Sequence, residues 1–215
     1  MNVKVFVSNP FQENTYVLSH PETREALIVD PGMMTDTEWQ RIRDYLTEQQ
    51  LRVVRILVTH CHIDHMMGTG YLTEWCDAPV CGPVDDQLSL PSADRQFQLF
   101  GLPCLHPLTG IGRNLNEGDR FSFGSSEVQV LDVPGHSFHG LCYYFPNEKM
   151  LFSGDVLFYC SIGRSDFGPG MGCDGEALVD GIRTKLFALP PETKVYTGHG
   201  PATTIGQEIA CNPYI

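Results

Sequence analysis

Apolar and polar positions alternate through the first thirty residues, at Val3, Val5 and Val7, at Thr15 and Val17, and at Leu27 and Val29. A period of two belongs to half-buried strands, so an opening run of short strands is predicted. Pro31-Gly32 ends the third strand. Thr35 followed by Glu38 has the form of a capping box, and Trp39, Ile42, Tyr45 and Leu46 then recur at helical spacing. Val53 to Val58 reads as a buried strand that runs into Thr59-His60. Between Tyr71 and Pro107 the pattern weakens to a short helix at Tyr71–Trp75 and a short strand at Pro79–Cys81, with Pro91, Pro103 and Pro107 marking irregular chain. Strands return at Phe121–Phe123, Val128–Val133, Leu141–Phe145 and Met150–Phe152, followed by a helix over Asp174–Leu189 and a strand at Lys194–Thr197. Two strand-rich halves, each with helices, predict two sheets packed face to face and covered by helices, within one domain spanning 1–215.

Composition narrows the function classes. With 26 acidic against 14 basic side chains, a formal charge of -12 and no basic cluster, the chain lacks the footprint of a nucleic-acid binder. No apolar stretch approaches the roughly 18 residues of a membrane span. The start, Met1-Asn2-Val3-Lys4-Val5-Phe6-Val7, lacks the zones of a signal peptide, so a cytoplasmic location is expected. The 8 cysteines show no CxxC pairing and read as reduced thiols rather than a disulfide framework or a zinc site.

The densest chemical signal is His60-Cys61-His62-Ile63-Asp64-His65, three imidazoles and a carboxylate in one short segment. A His-x-His pair leaving a strand projects two rings the same way, and Asp64-His65, entering a turn, can face a second site close by. A lone histidine more often caps a helix or hydrogen-bonds in a core, but a cluster this dense is costly without a ligand. By strand alternation Cys61 is expected to face away and pack as a small hydrophobe. Three later strand ends carry candidates beside glycine: Gly135-His136, Gly154-Asp155 and Gly198-His199-Gly200. Glycine lets the backbone approach closely enough for a side chain to be aimed inward. His20 and His106 read as structural or solvent-facing, and His139 as a residue that could line a pocket.

The ordered set His60-x-His62-x-Asp64-His65, His136, Asp155 and His199, with Gly163-Arg164-Ser165-Asp166 and the run Gly200 to Gly206, resembles the metallo-β-lactamase superfamily over nearly the whole chain. Within it the resemblance is to short glyoxalase II-like hydrolases, close to the persulfide dioxygenase branch. It implies a four-layer αββα sandwich with the active site at the edge between the sheets. It also implies a first metal on His60, His62 and His136, a second on Asp64, His65 and His199, and Asp155 as a bridge. Two divalent ions are expected, zinc first, with iron or manganese suited to similar ligands. Such a pair lowers the pKa of bound water toward ~7 and polarises a carbonyl. The implied activity is hydrolysis of a small anionic thioester or related ester, of the hydroxyacylglutathione hydrolase type, with Asp64 also acting catalytically by orienting the attacking water or taking its proton.

Two departures qualify this reading. Longer members grip glutathione with basic and tyrosine side chains in a C-terminal helical region, whereas Gly200 to Ile215 contains no lysine or arginine, which weighs against lactoylglutathione. Persulfide dioxygenases share the same motifs but use a single iron on two histidines and an aspartate, here His60, His136 and Asp155. A β-lactamase is disfavoured by the bridging Asp155, and a purely structural metal module by the open set of seven ligands. Arg164 and Asp166 are expected to pair as a clamp, and Phe158, Tyr159 and Phe167 either to wall the pocket or to pack in the core.

Overall fold

β1 (Asn2–Ser8), β2 (Glu13–Ser19) and β3 (Glu25–Val29) pair antiparallel in sequence order in the computed structural model, which describes residues 1–215. α1 (Asp36–Glu48) follows, and then β4 (Arg52–Leu57) lies parallel to β3. After α2 (Thr69–Trp75) the parallel series continues through β5 (Val80–Gly82). α3 (Val84–Ser89) and α4 (Ala93–Phe100) precede β6 (Arg113–Asn114), which completes a six-stranded sheet in the order β1-β2-β3-β4-β5-β6. The second sheet begins with the meander β7 (Arg120–Phe123), β8 (Ser126–Asp132), β9 (Leu141–Phe145) and β10 (Met150–Gly154). A small hairpin, β11 (Leu157–Phe158) and β12 (Ser161–Ile162), leads toward α5 (Gly175–Gly181). β13 (Lys194–Thr197) then pairs parallel with β10, β14 (Thr203–Thr204) closes the order β14-β13-β10-β9-β8-β7, and α6 (Ile205–Cys211) ends the chain.

The layers follow from side-chain alternation. Tyr16, Leu18, Leu27, Val29 and Leu57 of the first sheet meet Val128, Val130, Tyr143, Phe145 and Phe152 of the second in one cluster between the sheets. The intervening residues face outward: Val17, Ala26 and Ile28 pack with Trp39, Ile42 and Leu46 of α1, and Cys142, Tyr144 and Leu151 pack with Leu178, Ile182 and Leu186. Three apolar interfaces separate four layers, the αββα arrangement expected, and burial of these interfaces is the main favourable term in folding.

Several details differ from the expected elements. β2 is buried along its whole length rather than on one face, because it is covered by the second sheet on one side and the helical layer on the other. α3 and α4 occupy chain that reads as irregular; helices of six and eight residues span too few turns for a helical period to show. The long helix expected from Asp174 is a seven-residue α5 continued by a π-helical turn over Ile182–Leu186. No helix is long and apolar enough to cross a membrane.

The capping box at α1 is present and extends further than the motif alone implies. Besides Thr35 N at 2.9 Å and Thr35 Oγ1 at 3.1 Å, the Glu38 carboxylate accepts from Met34 N at 2.9 Å and from Asn9 N at 2.7 Å, tying the end of β1 to the helix start. Glu38→Ala leaves three backbone donors without this acceptor and is expected to cost about 2 kcal/mol in chemical denaturation, more than the roughly 1 kcal/mol of an ordinary cap. Thr35→Ala should cost less than Glu38→Ala.

Candidate metal centre

Each candidate ligand leaves the end of a strand at the same edge of the sandwich. His60, His62, Asp64 and His65 follow β4, His136 follows β8, Asp155 follows β10 and His199 follows β13. All seven come together. His60, His62 and His136 form one group whose ligand atoms lie within 4.8 Å of one another, and Asp64, His65 and His199 form a second. Asp155 faces both: Oδ2 is 3.5 Å from His136 Nε2 and 3.4 Å from His199 Nε2, and Oδ1 is 3.4 Å from His65 Nε2. Glycine permits this approach. A methyl group on Gly198 would fall 2.1 Å from Asp155 Oδ1, and Gly154, at φ +48°, lies so close to Thr59 that any side chain would meet its hydroxyl.

The outward nitrogens fix the rings. His136 Nδ1 donates to the Arg164 carbonyl at 2.7 Å and His199 Nδ1 to the Phe11 carbonyl at 3.0 Å, so each turns its Nε2 inward. Asp30 orients one ring in each group. Its Oδ2 lies 3.1 Å from His65 Nδ1 and also accepts from Thr59 Oγ1 at 2.8 Å; with that hydroxyl proton committed, Thr59 accepts from His60 Nδ1 at 3.1 Å. His62 instead presents Nδ1, 3.0 Å from His136 Nε2. Five atoms of the cluster have nothing to bind: His60 Nε2, His62 Nε2, both nitrogens of His65 and Asp155 Oδ1 are buried with no hydrogen-bond partner. Buried polar atoms are rarely left so, and imidazole nitrogens with carboxylate oxygens are a donor set suited to zinc, iron or manganese. The cluster is metal-binding in character.

The two groups differ electrostatically. Burial, together with the neighbouring imidazoles, holds His60 well below its ordinary pKa, and burial with His136 lowers His62 to about 3, so both rings are neutral ligands. Burial also opposes charge on His65 and His199, but the carboxylates prevail. Asp155, Asp64 and Asp30 raise His65 well above its usual range, and Asp155 and Asp64 raise His199 to about 10. Burial would raise Asp155, yet His65 and His199 hold it well below the carboxylate range. Without metal, the second group therefore carries protons where a cation would sit.

Strand alternation is not what aims His60 and His62. β4 ends at Leu57, and the following segment is irregular because Thr59 turns its backbone N–H to Asp30 Oδ1 at 2.7 Å instead of continuing the ladder. Two side chains from the unforeseen helices hold that segment. Asp86 of α3, fully buried, accepts from Cys61 N at 2.7 Å and His139 N at 3.0 Å and bonds the Ser137 hydroxyl, so it joins the loop bearing His60 and His62 to the loop bearing His136. Gln96 of α4 donates to the Cys61 carbonyl at 3.1 Å and accepts from Ile63 N at 3.1 Å. Cys61 itself is buried in the core and outside both ligand groups, as expected. On the opposite side Asn14 donates to the carbonyls of Thr197 and Gly200, bracketing His199. Asp30 ends a strand before Pro31-Gly32 and was accessible to the strand-end rule; Asp86, Gln96 and Asn14 carry no such signal.

A cavity of about 310 Å³ opens over the cluster, lined by His62, Asp64, His136, Asp155 and His199 together with Phe11, Phe100, Phe158, Arg164, Phe167 and Met171. Phe158 and Phe167 wall it, whereas Tyr159 is an exposed residue outside it. Arg164 and Asp166 form the expected bidentate pair, at 2.9 and 3.0 Å. His139 is not in this cavity: its Nδ1 lies 2.6 Å from Asp132 beside a separate polar depression. His106 stacks on Tyr71, and His20 is buried near Ser125.

Residues 8–199 match the family described as the metallo-beta-lactamase superfamily. Hydroxyacylglutathione hydrolase GloC of Haemophilus influenzae is 32% identical, over 100% of this chain and 98% of its own. The mitochondrial persulfide dioxygenase ETHE1 of Bos taurus is 30% identical, over 93% of this chain and 70% of its own. Among solved structures, BLEG-1 B3 metallo-beta-lactamase superposes with a TM-score of 0.88 at 34% identity, covering 99% of each chain. TTHA1623, solved in a di-iron-bound form, superposes with a TM-score of 0.83 at 37% identity, covering 99% of this chain and 100% of its own. With the sandwich, the strand-end ligands and these likenesses in agreement, the chain belongs to the metallo-beta-lactamase superfamily.

Proposed function

We propose that the chain, acting as one unit, holds two divalent cations and hydrolyses a thioester or related ester. In this reading His60, His62 and His136 hold the first cation, Asp64, His65 and His199 the second, and Asp155 is shared. The observation that carries it is the position of Asp155, whose two oxygens lie at matched distances from rings of both groups, beside a second group that is complete. Cations bound there supply a hydroxide at neutral pH and polarise the scissile carbonyl. Zinc suits this donor set; the di-iron form of TTHA1623 makes iron the other candidate. The eight free thiols are in keeping with a reducing, cytoplasmic setting.

The chain's own residues have distinct tasks. Neutral His60 and His62 donate lone pairs without titrating near pH 7, and the acceptors behind His136 and His199 keep those rings from rotating. Asp64, at 3.3 Å from His199 Nε2 through Oδ2 and bordering the cavity, is placed to orient the attacking water or take its proton. A departing thiolate needs no strong general acid, and the wall offers none. The products are a carboxylic acid and a thiol, with water supplying the oxygen and the protons.

The likeness to ETHE1 supports one rival, a mononuclear iron dioxygenase that would use His60, His136 and Asp155. Metal quantification on native protein, with parallel assays of thiol release from thioesters and oxygen uptake with glutathione persulfide, separates the two. Two metals with thiol release are expected; one iron with oxygen uptake would replace this reading with the dioxygenase. His62→Ala and Asp155→Ala should each lower hydrolysis by orders of magnitude while circular dichroism stays that of a folded chain.

Asp86→Asn can no longer accept from all three of its partners, and is expected to weaken metal binding at His60, His62 and His136 about tenfold or more while sparing the other group. Cobalt titration followed by absorption resolves the two sites. Loading the metal-free protein at pH 7.5 should release protons from His65 and His199, since both are raised above that pH in its absence. The His199 share is expected to fade as pH rises through about 10, and His199→Ala should lower the count by about one proton, read from the buffer dependence of the binding heat.

A further inference from the structure

We infer that the specificity of this site is for an uncharged apolar acyl group, aromatic or branched aliphatic, rather than for an anionic thiol such as glutathione; this rests on the hydrolase reading and names its substrate class. Apart from the metal-binding cluster, the cavity wall is Phe11, Phe100, Phe158, Phe167 and Met171, with Arg164 as its one cationic side chain. These rings are arranged around the cluster. Phe158 lies 6.2 Å from His199, Phe167 lies 6.2 Å from His62 and 6.5 Å from His136, and Phe11 meets Phe100 edge to face at 5.2 Å. An acyl group whose carbonyl reached the cluster would therefore sit among four phenylalanines.

Arg164 is already paired: its Nε and Nη2 are taken by Asp166, leaving Nη1 free, and its face lies 4.3 Å from the centre of the Phe167 ring, so the pair presents no net charge. Glutathione carries two carboxylates, and the wall holds no second cation to meet them. At about 310 Å³ the cavity is at the lower end of the roughly 300–1,000 Å³ of small-molecule sites, enough for an acyl group of phenylacetyl size. Phe100 is 43% and Phe167 39% exposed. Large apolar side chains left this open beside a catalytic cavity are the surface an apolar ligand would cover.

The test uses metal-loaded full-length protein and N-acetylcysteamine thioesters, in which the thiol is small and neutral. The ratio of kcat/KM for phenylacetyl over acetyl is expected to be ten to a hundredfold, and phenylacetyl should be preferred to lactoylglutathione. Phe100→Ala and Phe158→Ala should each lower that ratio at least fivefold, whereas Leu88→Ala, an exposed residue outside the cavity, should not change it. A ratio near one, or preference for the glutathione thioester, would overturn the proposal. Binding of 1-phenylbutan-2-one, a thioester analogue with methylene in place of sulfur, is measured by calorimetry alongside. If no thioester is cleaved but this ketone binds at least tenfold more tightly than butan-2-one and Phe100→Ala abolishes the difference, the apolar site stands and the hydrolase reading fails. Equal binding of the two ketones would overturn the apolar site whatever the activity.

Discussion

Five imidazoles and two carboxylates can share one buried pocket only if the scaffold orients the rings from outside, which it does for His60, His136 and His199 by hydrogen bonds and for His65 by the nearby Asp30 carboxylate. The fold meets this constraint with acceptors drawn from well-separated parts of the chain: the Phe11 carbonyl before β2, Asp30 after β3, and the Arg164 carbonyl beyond β12. Asp30 matters most, because it reaches His65 directly and His60 through the Thr59 hydroxyl, so one carboxylate sets rings in both groups. Its own burial is tolerable because Thr59 donates to both oxygens, its N–H to Oδ1 and its hydroxyl to Oδ2. A scaffold rigid enough to fix these acceptors is what the four-layer sandwich provides.

The same logic explains what was legible in the sequence. Candidate ligands stand out by residue type: a His-x-His-x-Asp-His run and glycine-flanked His or Asp at strand ends have few other uses, and all seven converge. The period of two likewise marked most of the strands and, through alternating contacts, both outer layers. What supports the ligands was largely hidden. Asp86 and Gln96 lie on two short helices whose positions are mostly polar, and an Asp that grips three groups on two loops looks, in sequence, like any surface Asp. Reading His60 and His62 as a strand pair brought the two rings together through the wrong geometry; tertiary contacts from α3 and α4, not pleating, hold the segment that bears them. Aromatic wall residues were half visible: Phe158 and Phe167 lie near the bridging aspartate, while Phe11 and Phe100 are distant from every motif.

Division of charge within the centre bears on how it stays intact without cations. In the second group the protons on His65 and His199 neutralise Asp64 and Asp155, so loss of metal leaves paired charges rather than bare carboxylates. The first group has no such reserve: His60 and His62 are held neutral, and His62 meets His136 only by a ring-to-ring contact. Its geometry must then be imposed from outside, and Asp86 does so from behind the two loops. This asymmetry makes the first site depend on scaffold contacts and the second on charge.

Similarity to both a hydrolase and a dioxygenase follows from the chemistry of the ligands rather than from any indecision of the fold. Two imidazoles and a carboxylate, as in His60, His136 and Asp155, would suit a single iron as well as half of a paired site, since such a set leaves open positions in either case. What differs is the cost of the remaining ligands. Asp64, His65 and His199 are each pinned by a neighbour, and a chain with no use for a second cation would still have to desolvate a carboxylate and two rings to keep them there. The four phenylalanines of the wall border this polar floor without contributing a ligand, so the donors that a cation could use all come from the strand ends.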